Sequence, residues 1–288
     1  MAIVVTKLGT GQEIDGQNFS IVIGVIPEGL LVAATAANAE IVWVRWHYSG
    51  LGAYEDLFRD VIANNAGNVT TQIWSRPNAH AGTSASAYIQ IGSWPQPGAA
   101  ATIYTATGIA TILPLDKTST GIGTGTVANS GSSGTLSQAD ELIIGAIGME
   151  EEIDEKGTWT DDASHVYDSD YEQDACADLG GAKSSTICSV AEIVSATTAQ
   201  IAEMTGTLGN DWAACIATYK GVGGAAYYHG LKVQGEGELA LCDAGIHPLR
   251  TRKGGVTYGV ELVALDDPNA SRVRVKTPAG IKAIRGYT

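Results

Sequence analysis

Charge is scarce in this sequence: Asp, Glu, Lys and Arg make up only 17% of its 288 residues. Cations are scarcer still, with 17 Lys or Arg against 31 Asp or Glu and a net charge of −14. A polyanion such as nucleic acid needs a cationic surface, so it is excluded as the main partner. An anionic membrane surface is disfavoured for the same reason. No apolar run approaches the roughly 18 residues of a spanning helix, so no membrane insertion is expected. The opening Met1–Lys7 has no basic stretch before its short apolar run. The expectation is a chain assembled in a cytoplasm, or one that has already lost a leader.

Chemistry-bearing patterns are equally sparse. The four cysteines, Cys176, Cys188, Cys215 and Cys242, form no C-x-x-C pair, which argues against a zinc ribbon. The five histidines are scattered, with no H-E-x-x-H, and no G-x-S-x-G elbow occurs. No catalytic residue and no bound cofactor are therefore expected, with calcium as the one exception considered below.

What the chain has in quantity is small and turn-forming residues, including 36 glycines, within a composition that is 44% hydrophobic. That mixture suits short strands joined by tight turns. Strand patterns begin at Phe19–Gly24 and Leu30–Thr35 and are clearest at Ile41–Tyr48, where Val42, Val44, Trp46 and Tyr48 make one apolar face. Further strands are expected at Val69–Trp74, Ala85–Ile91, Ala101–Thr105, Leu142–Gly148, Ile187–Val194, Gln200–Thr205 and Trp212–Tyr219. The segment Tyr54–Ala63 breaks the pattern: Tyr54, Leu57, Phe58, Val61 and Ile62 fall at helical spacing, predicting a short amphipathic helix that ends at Asn64–Gly67. Thr118–Thr135, rich in Gly, Ser and Thr, predicts a flexible or extended surface connection. Its Gly121–Gly125 lacks both the context and the lysine of a phosphate loop.

Between Glu150 and Asp178 there are twelve acids and one lysine. Asp168, Asp170, Glu172 and Asp174 alternate, which on a strand sets four carboxylates on one face, and calcium would relieve their repulsion. A solvated acidic face is the simpler account. Cys176 and Cys188 flank the turn-like Asp178–Lys183 and are placed to meet across a hairpin as a disulfide; two buried thiols are the alternative. Of the six tryptophans, Trp43, Trp46, Trp74, Trp94, Trp159 and Trp212, most are expected in the core, with a sugar-binding platform as the competing role.

Past a linker at 221–230 the character changes. Residues 231–288 hold nine Lys or Arg against six acids, while the first 230 hold eight against 25. Five short strands are expected there: Leu239–Asp243, Leu249–Lys253, Thr257–Ala264, Arg272–Lys276 and Ile281–Arg285.

Three strings, Pro27–Ala33, Ala139–Ala146 and Trp212–Lys220, resemble the opening, middle and closing strands of jelly-roll β-sandwich surface and structural proteins of phages and environmental microbes. Arg252–Leu262 and Val275–Lys282 are similar to small C-terminal modules of phage structural proteins. The helical segment and the acidic second half depart from that pattern. The resemblance implies an all-β fold, with a jelly-roll-type antiparallel sandwich over 1–220 and a small β-rich module over 231–288. It implies a setting on a virion or an extracellular surface, and no catalytic residues.

The function expected is that of a non-catalytic structural protein whose partners are copies of itself and other virion or surface proteins. Arg250, Arg252, Lys253, Arg272, Arg274 and Lys276 would meet an acidic sandwich on a neighbouring copy. The alternative is an adhesin or receptor-binding module that recognises surface glycans.

Overall fold

The computed structural model describes residues 2–13, 17–48, 54–66, 68–92, 98–150, 160–161, 172–177 and 184–222, and then 250–253, 256–259, 272–277 and 280–285. Of the side chains of 160–161, 172–177, 206–209 and everything from 250 onward, nothing is described. The described residues are 74% strand with no helix, so the chain is all-β. It divides into two units, Met1–Gly224 and Ala225–Thr288.

The first unit opens with nine strands: β1 (Val4–Glu13), β2 (Asn18–Ile26), β3 (Gly29–Ala37), β4 (Ile41–His47), β5 (Glu55–Asp56), β6 (Phe58–Asn65), β7 (Val69–Ala79), β8 (Gly82–Ile91) and β9 (Ala99–Thr107). Their pairing follows one rule. β1 pairs with β9, β2 with β8, β3 with β7 and β4 with β5, all antiparallel. A long hairpin rolled up in this way deals its pairs alternately into two sheets, β1-β9-β3-β7-β6 and β2-β8-β4-β5. That arrangement is a jelly roll, with β6 added at one edge. It is complete by Thr107.

The remaining strands of this unit, β10 (Leu115–Asn129), β11 (Glu141–Met149), β12 (Thr160–Asp161), β13 (Glu172–Ala177), β14 (Ser185–Val194) and β15 (Glu203–Lys220), form a third sheet in the order β10-β15-β11-β14-β13, with β12 on β15. It packs on the open face of the five-stranded sheet. Leu30, Val32, Ala34 and Ala36 of β3 meet Leu142, Ile144 and Ala146 of β11 and Ala213, Cys215 and Ala217 of β15. The opposite face of β3, Leu31, Ala33 and Ala37, meets Ile21, Val44, Trp46 and Ile89 of the four-stranded sheet. The five-stranded sheet is thus the middle of three layers. Its central strands are buried on both sides, which explains why Leu30–Ala37 is a continuous run of small and apolar residues without polar alternation. Hydrogen bonds stitch the middle and third layers: Thr71 Oγ1 donates to the Ala213 carbonyl at 2.8 Å, Tyr219 Oη to Asp60 at 2.6 Å, and the Tyr104 and Ser189 hydroxyls lie 2.7 Å apart.

Three expectations from the sequence are corrected. Tyr54–Ala63 is not a helix. It is a corner: β5 closes the edge of one sheet, Leu57 turns inward with its N–H on the Val44 carbonyl, and β6 joins the edge of the other. The helical spacing was a coincidence of one buried corner residue and a strand whose Val61 and Ala63 alternate inward, leaving Phe58 59% exposed.

Nor is Thr118–Thr135 a loose connection as far as Asn129. β10 pairs with β15 from Leu115↔Tyr219 to Asn129↔Glu203. Its glycines are a packing device, because the Trp212 ring lies over the strand and a Cβ on Gly123 would stand 2.6 Å from it. At Gly125 (φ +129°) the register shifts and the ladder doubles back. Asn129 then reaches Gly121, while Ala128 and Met204 cap Ile143, Ile147 and Ile216 on the outer side of the third sheet.

In β4 the predicted alternation holds from Trp43 to His47. A register shift between Ile41 and Trp43 then turns Ile41 inward and leaves Val42 52% exposed.

The second unit shows two hairpins, β16 (Arg250–Lys253) with β17 (Val256–Gly259), and β18 (Arg272–Thr277) with β19 (Gly280–Arg285).

Candidate functional site

The inner face of the four-stranded sheet is core, so its outer face carries whatever side chains the alternation leaves over. Three rungs cross it. Asn18, Gln90 and Trp43 stand in line, then Ser20, Tyr88, Arg45 and Asp56, then Val22, Ser86 and His47. Trp43, Tyr88, Gln90 and His47 are half-buried by their neighbours on an otherwise open surface, and Val22 is 76% exposed. Tyr54, at the approach to β5, lies over this face with its ring centroid 5.1 Å from both His47 and Tyr88.

The charges on this face are committed. Arg45 stacks its guanidinium 4.5 Å from the Trp43 ring centre and pairs with Asp56 at 2.5 Å. At the rim, Glu55 accepts the Trp46 indole N–H at 3.1 Å and lies within 3.2 Å of His80 Nδ1 and 3.6 Å of Arg76 Nε. Arg76 in turn stands over the exposed Phe58 ring. Aromatic planes beside amide, hydroxyl and imidazole groups make a surface that can stack on an apolar ring face and exchange hydrogen bonds with hydroxyls.

Among the tryptophans, Trp46, Trp74 and Trp212 are core and Trp43 belongs to this face. Trp94 and Trp159 lie outside the described residues. Tyr54 was masked in the sequence by its apparent helical spacing; the signal that could have found it was its place directly before Glu55-Asp56.

The sequence-predicted site residues are scattered. Asp168 and Asp170, proposed for calcium, lie outside the described residues. Glu172 and Asp174 fall on β13, where Glu172 opposes Ser189 and the register shift between Gln173 and Ala175 puts Asp174 in a bulge, off strict alternation. For the proposed disulfide, Cys176 opposes Thr186 and Cys188 opposes Gln173, so the two are not directly paired positions. The Cys176 side chain and Cys242 lie outside the described residues. Cys188 is buried, as is Cys215, whose thiol donates to the Thr71 carbonyl and is pushed well up by burial.

In the second unit, Arg250 and Arg252 take alternate positions on β16 with Lys253 beyond them, and Arg272, Arg274 and Lys276 alternate along β18. Arg285 is the partner of Arg272 in the ladder. Arg272, Arg274, Lys276 and Arg285 thus hold alternate or directly opposed register positions of the hairpin backbone.

No protein-family model matches the chain, and no curated protein matches its sequence.

Proposed function

We propose that this protein is a non-catalytic structural subunit that assembles with copies of itself on or as a virion, a tail or an extracellular filament. The observation that carries this reading is the alternate placement of Arg272, Arg274 and Lys276 along β18, with Arg285 at the register position opposite Arg272, in a chain whose first 230 residues hold eight Lys or Arg against 25 acids. A basic face on one copy and an acidic body on the next form a contact between unlike surfaces. Such contacts close into rings or run on as filaments. The virion or surface setting rests on the resemblance of the strand strings, and other proteins of that surface are further partners under the same reading.

Sedimentation velocity and electron microscopy of the full chain test it. Ordered assemblies are expected at about 0.05 M salt and their loss by about 0.5 M, where screening shortens the reach of the charges. The triple substitution Arg272→Glu, Arg274→Glu, Lys276→Glu should leave dissociated subunits at either salt. Assembly indifferent to both perturbations would refute the charge contact, and monomers alone at low salt would refute assembly.

One observation favours a second reading, recognition of surface glycans. It is the outer face of the four-stranded sheet, with Trp43, Tyr54 and Tyr88 beside Asn18, Gln90 and His47.

A further inference from the structure

Glu141 is the first residue of β11, on the outer side of the third sheet, and it has no solvent exposure. Its two carboxyl oxygens are buried without a well-aligned donor; the Thr218 hydroxyl and the Gln138 N–H are the groups that approach them. Its neighbour is a second acid. The Asp116 carboxyl contacts it from β10, and the Thr218 hydroxyl approaches from β15. Two ionised carboxylates in contact offer only acceptors, so their approach leaves both short of donors. One proton converts the same contact into an O–H···O bond.

The surroundings decide which acid holds it. Asp116 accepts the Ser137 N–H at 2.8 Å and has Lys117 beside it. Burial raises its pKa, but the Ser137 bonds, the Glu141 contact and Lys117 outweigh this and hold it below the ordinary carboxylate range. Glu141 has weaker support and no cation. Burial first, opposed only in part by the Thr218 hydroxyl and the Gln138 N–H, and then the Asp116 charge push it up to about 7.

The other charged groups around Glu141 do not relieve it. Lys220 stands opposite it on β15, yet no ion pair joins the two. Glu192 lies on the same face of β14, two positions from the Val194 that opposes Glu141, and Asp140 precedes it in the chain; both add negative charge.

The location gives the pair its consequence. Directly beside it, the chain leaves the first unit. Lys220 N–H bonds the Pro114 carbonyl at 2.8 Å, Gly221 N–H the Asp140 carbonyl at 3.0 Å and Val222 N–H the Gly108 carbonyl at 2.8 Å, while Gln138 Nε2 donates to the Gly221 carbonyl at 3.0 Å. The segments flanking Asp116 and Glu141 therefore hold the root of the connector to residues 225–288.

We propose that Asp116 and Glu141 form a proton-operated latch: with one proton shared between them they pin the connector root at Lys220–Val222, and loss of that proton in mildly alkaline surroundings releases it. This holds whatever the protein assembles with. The sign follows from the raised Glu141. A carboxyl that binds its proton more tightly when folded stabilises the fold fully below its ordinary pKa of 4.5, and the effect is lost as the pH climbs through about 7. Asp116, lowered from 3.8, acts oppositely and only on the acid side.

Hydrogen exchange of the intact protein, corrected for the intrinsic rate at each pH, tests the latch. Between about pH 5 and pH 8 the opening equilibrium of amides 220–222 should rise on the order of 100-fold, while amides of the four-stranded sheet that exchange by local opening, without exposing Glu141, stay unchanged. Glu141→Gln removes the titrating group and supplies a permanent donor to Asp116, so protection should stay flat across the range; Asp116→Asn supplies a donor to ionised Glu141 and removes the neighbouring charge, so the response should shrink, with burial of Glu141 sustaining the remainder. A wild-type response below about threefold overturns the latch, as does an undiminished response in both variants. Protection restored at pH 8 by millimolar calcium in wild type but not in Glu141→Gln also overturns it, in favour of a cation site.

Discussion

Gly148 sits where the middle and third layers come closest, and Gly148→Ala measures how tightly they are set. A Cβ built there would stand 2.2 Å from Thr71 Oγ1, 2.8 Å from the Ala36 Cβ and 3.2 Å from a Val69 methyl. Contacts under 3 Å must be relieved by moving something, and two of these three atoms are anchored. Ala36 is part of the fully buried β3, and the Thr71 hydroxyl is held on the Ala213 carbonyl, directly across the ladder from Gly148. Overpacking of this kind costs about 1–3 kcal/mol. Displacing the hydroxyl adds about 1 kcal/mol, and the stiffer unfolded chain of alanine returns about 0.5–1 kcal/mol. The net loss is about 1–3.5 kcal/mol, or a fall in Tm of roughly 2–14 °C for a unit of this size. Urea unfolding followed by tryptophan fluorescence reads it directly. The decisive comparison adds Thr71→Ala, which alone loses the bond to Ala213 but also removes the nearest clashing atom. The double variant should be less damaged than the sum of the two singles by about 1 kcal/mol or more, without returning to wild type because Ala36 remains in the way. A Gly148→Ala protein within about 0.5 kcal/mol of wild type, or strict additivity, would refute the packing argument.

Tyr219→Phe leaves Asp60 without one of its two hydroxyl donors. Burial already raises this acid, against the pull of Ser75 and Tyr219. The variant should lose about 1–2 kcal/mol at pH 7, and the loss should shrink as acid neutralises Asp60; a deficit independent of pH in urea titrations would argue against the bond. On the outer face of the four-stranded sheet, Trp43→Ala and Tyr54→Ala should each weaken any saturable signal on a glycan array at least tenfold, about 1.4 kcal/mol, with unfolding midpoints little changed for Tyr54, which is 54% exposed. Binding that survives both substitutions, or no binding by the wild type, would remove the glycan reading.

The all-β class was legible because β2, β4 and β8 each have one wet and one dry face, and period two survives in their sequences. The third layer was not. Leu30–Ala37, Ala99–Ala106 and Glu141–Met149 are buried on both faces, so their apolar runs name a strand without saying what lies on either side. The Gly–Thr stretch of β10 was misread because its order comes from Trp212, some ninety positions along the chain, whereas local composition says turn. The corner at Leu57 failed for a related reason: a strand that changes sheets buries residues at irregular intervals, and these imitated a helix. For the surface face, Trp43 and Arg45 were visible as the second face of β4, but Tyr54 was hidden by that imitation. Glu141 lies within Ala139–Ala146, whose strand-like pattern says nothing of its burial. An acid as the first residue of an otherwise apolar strand was the available signal.

The pairing of first strand with last has a consequence for how the molecule comes into being. β1 cannot find its neighbour until β9 has been made, and β3 waits between β7 and β9 for both. During synthesis the ribosome therefore exposes Leu30–Ala37, two-sided and sticky, for the time needed to add some seventy more residues. Closure then depends on distant partners and falls in the slow class of folding reactions. Shortening the chain anywhere before Thr107 removes a centre strand rather than trimming an edge, and the cell would receive an aggregate in place of a smaller domain.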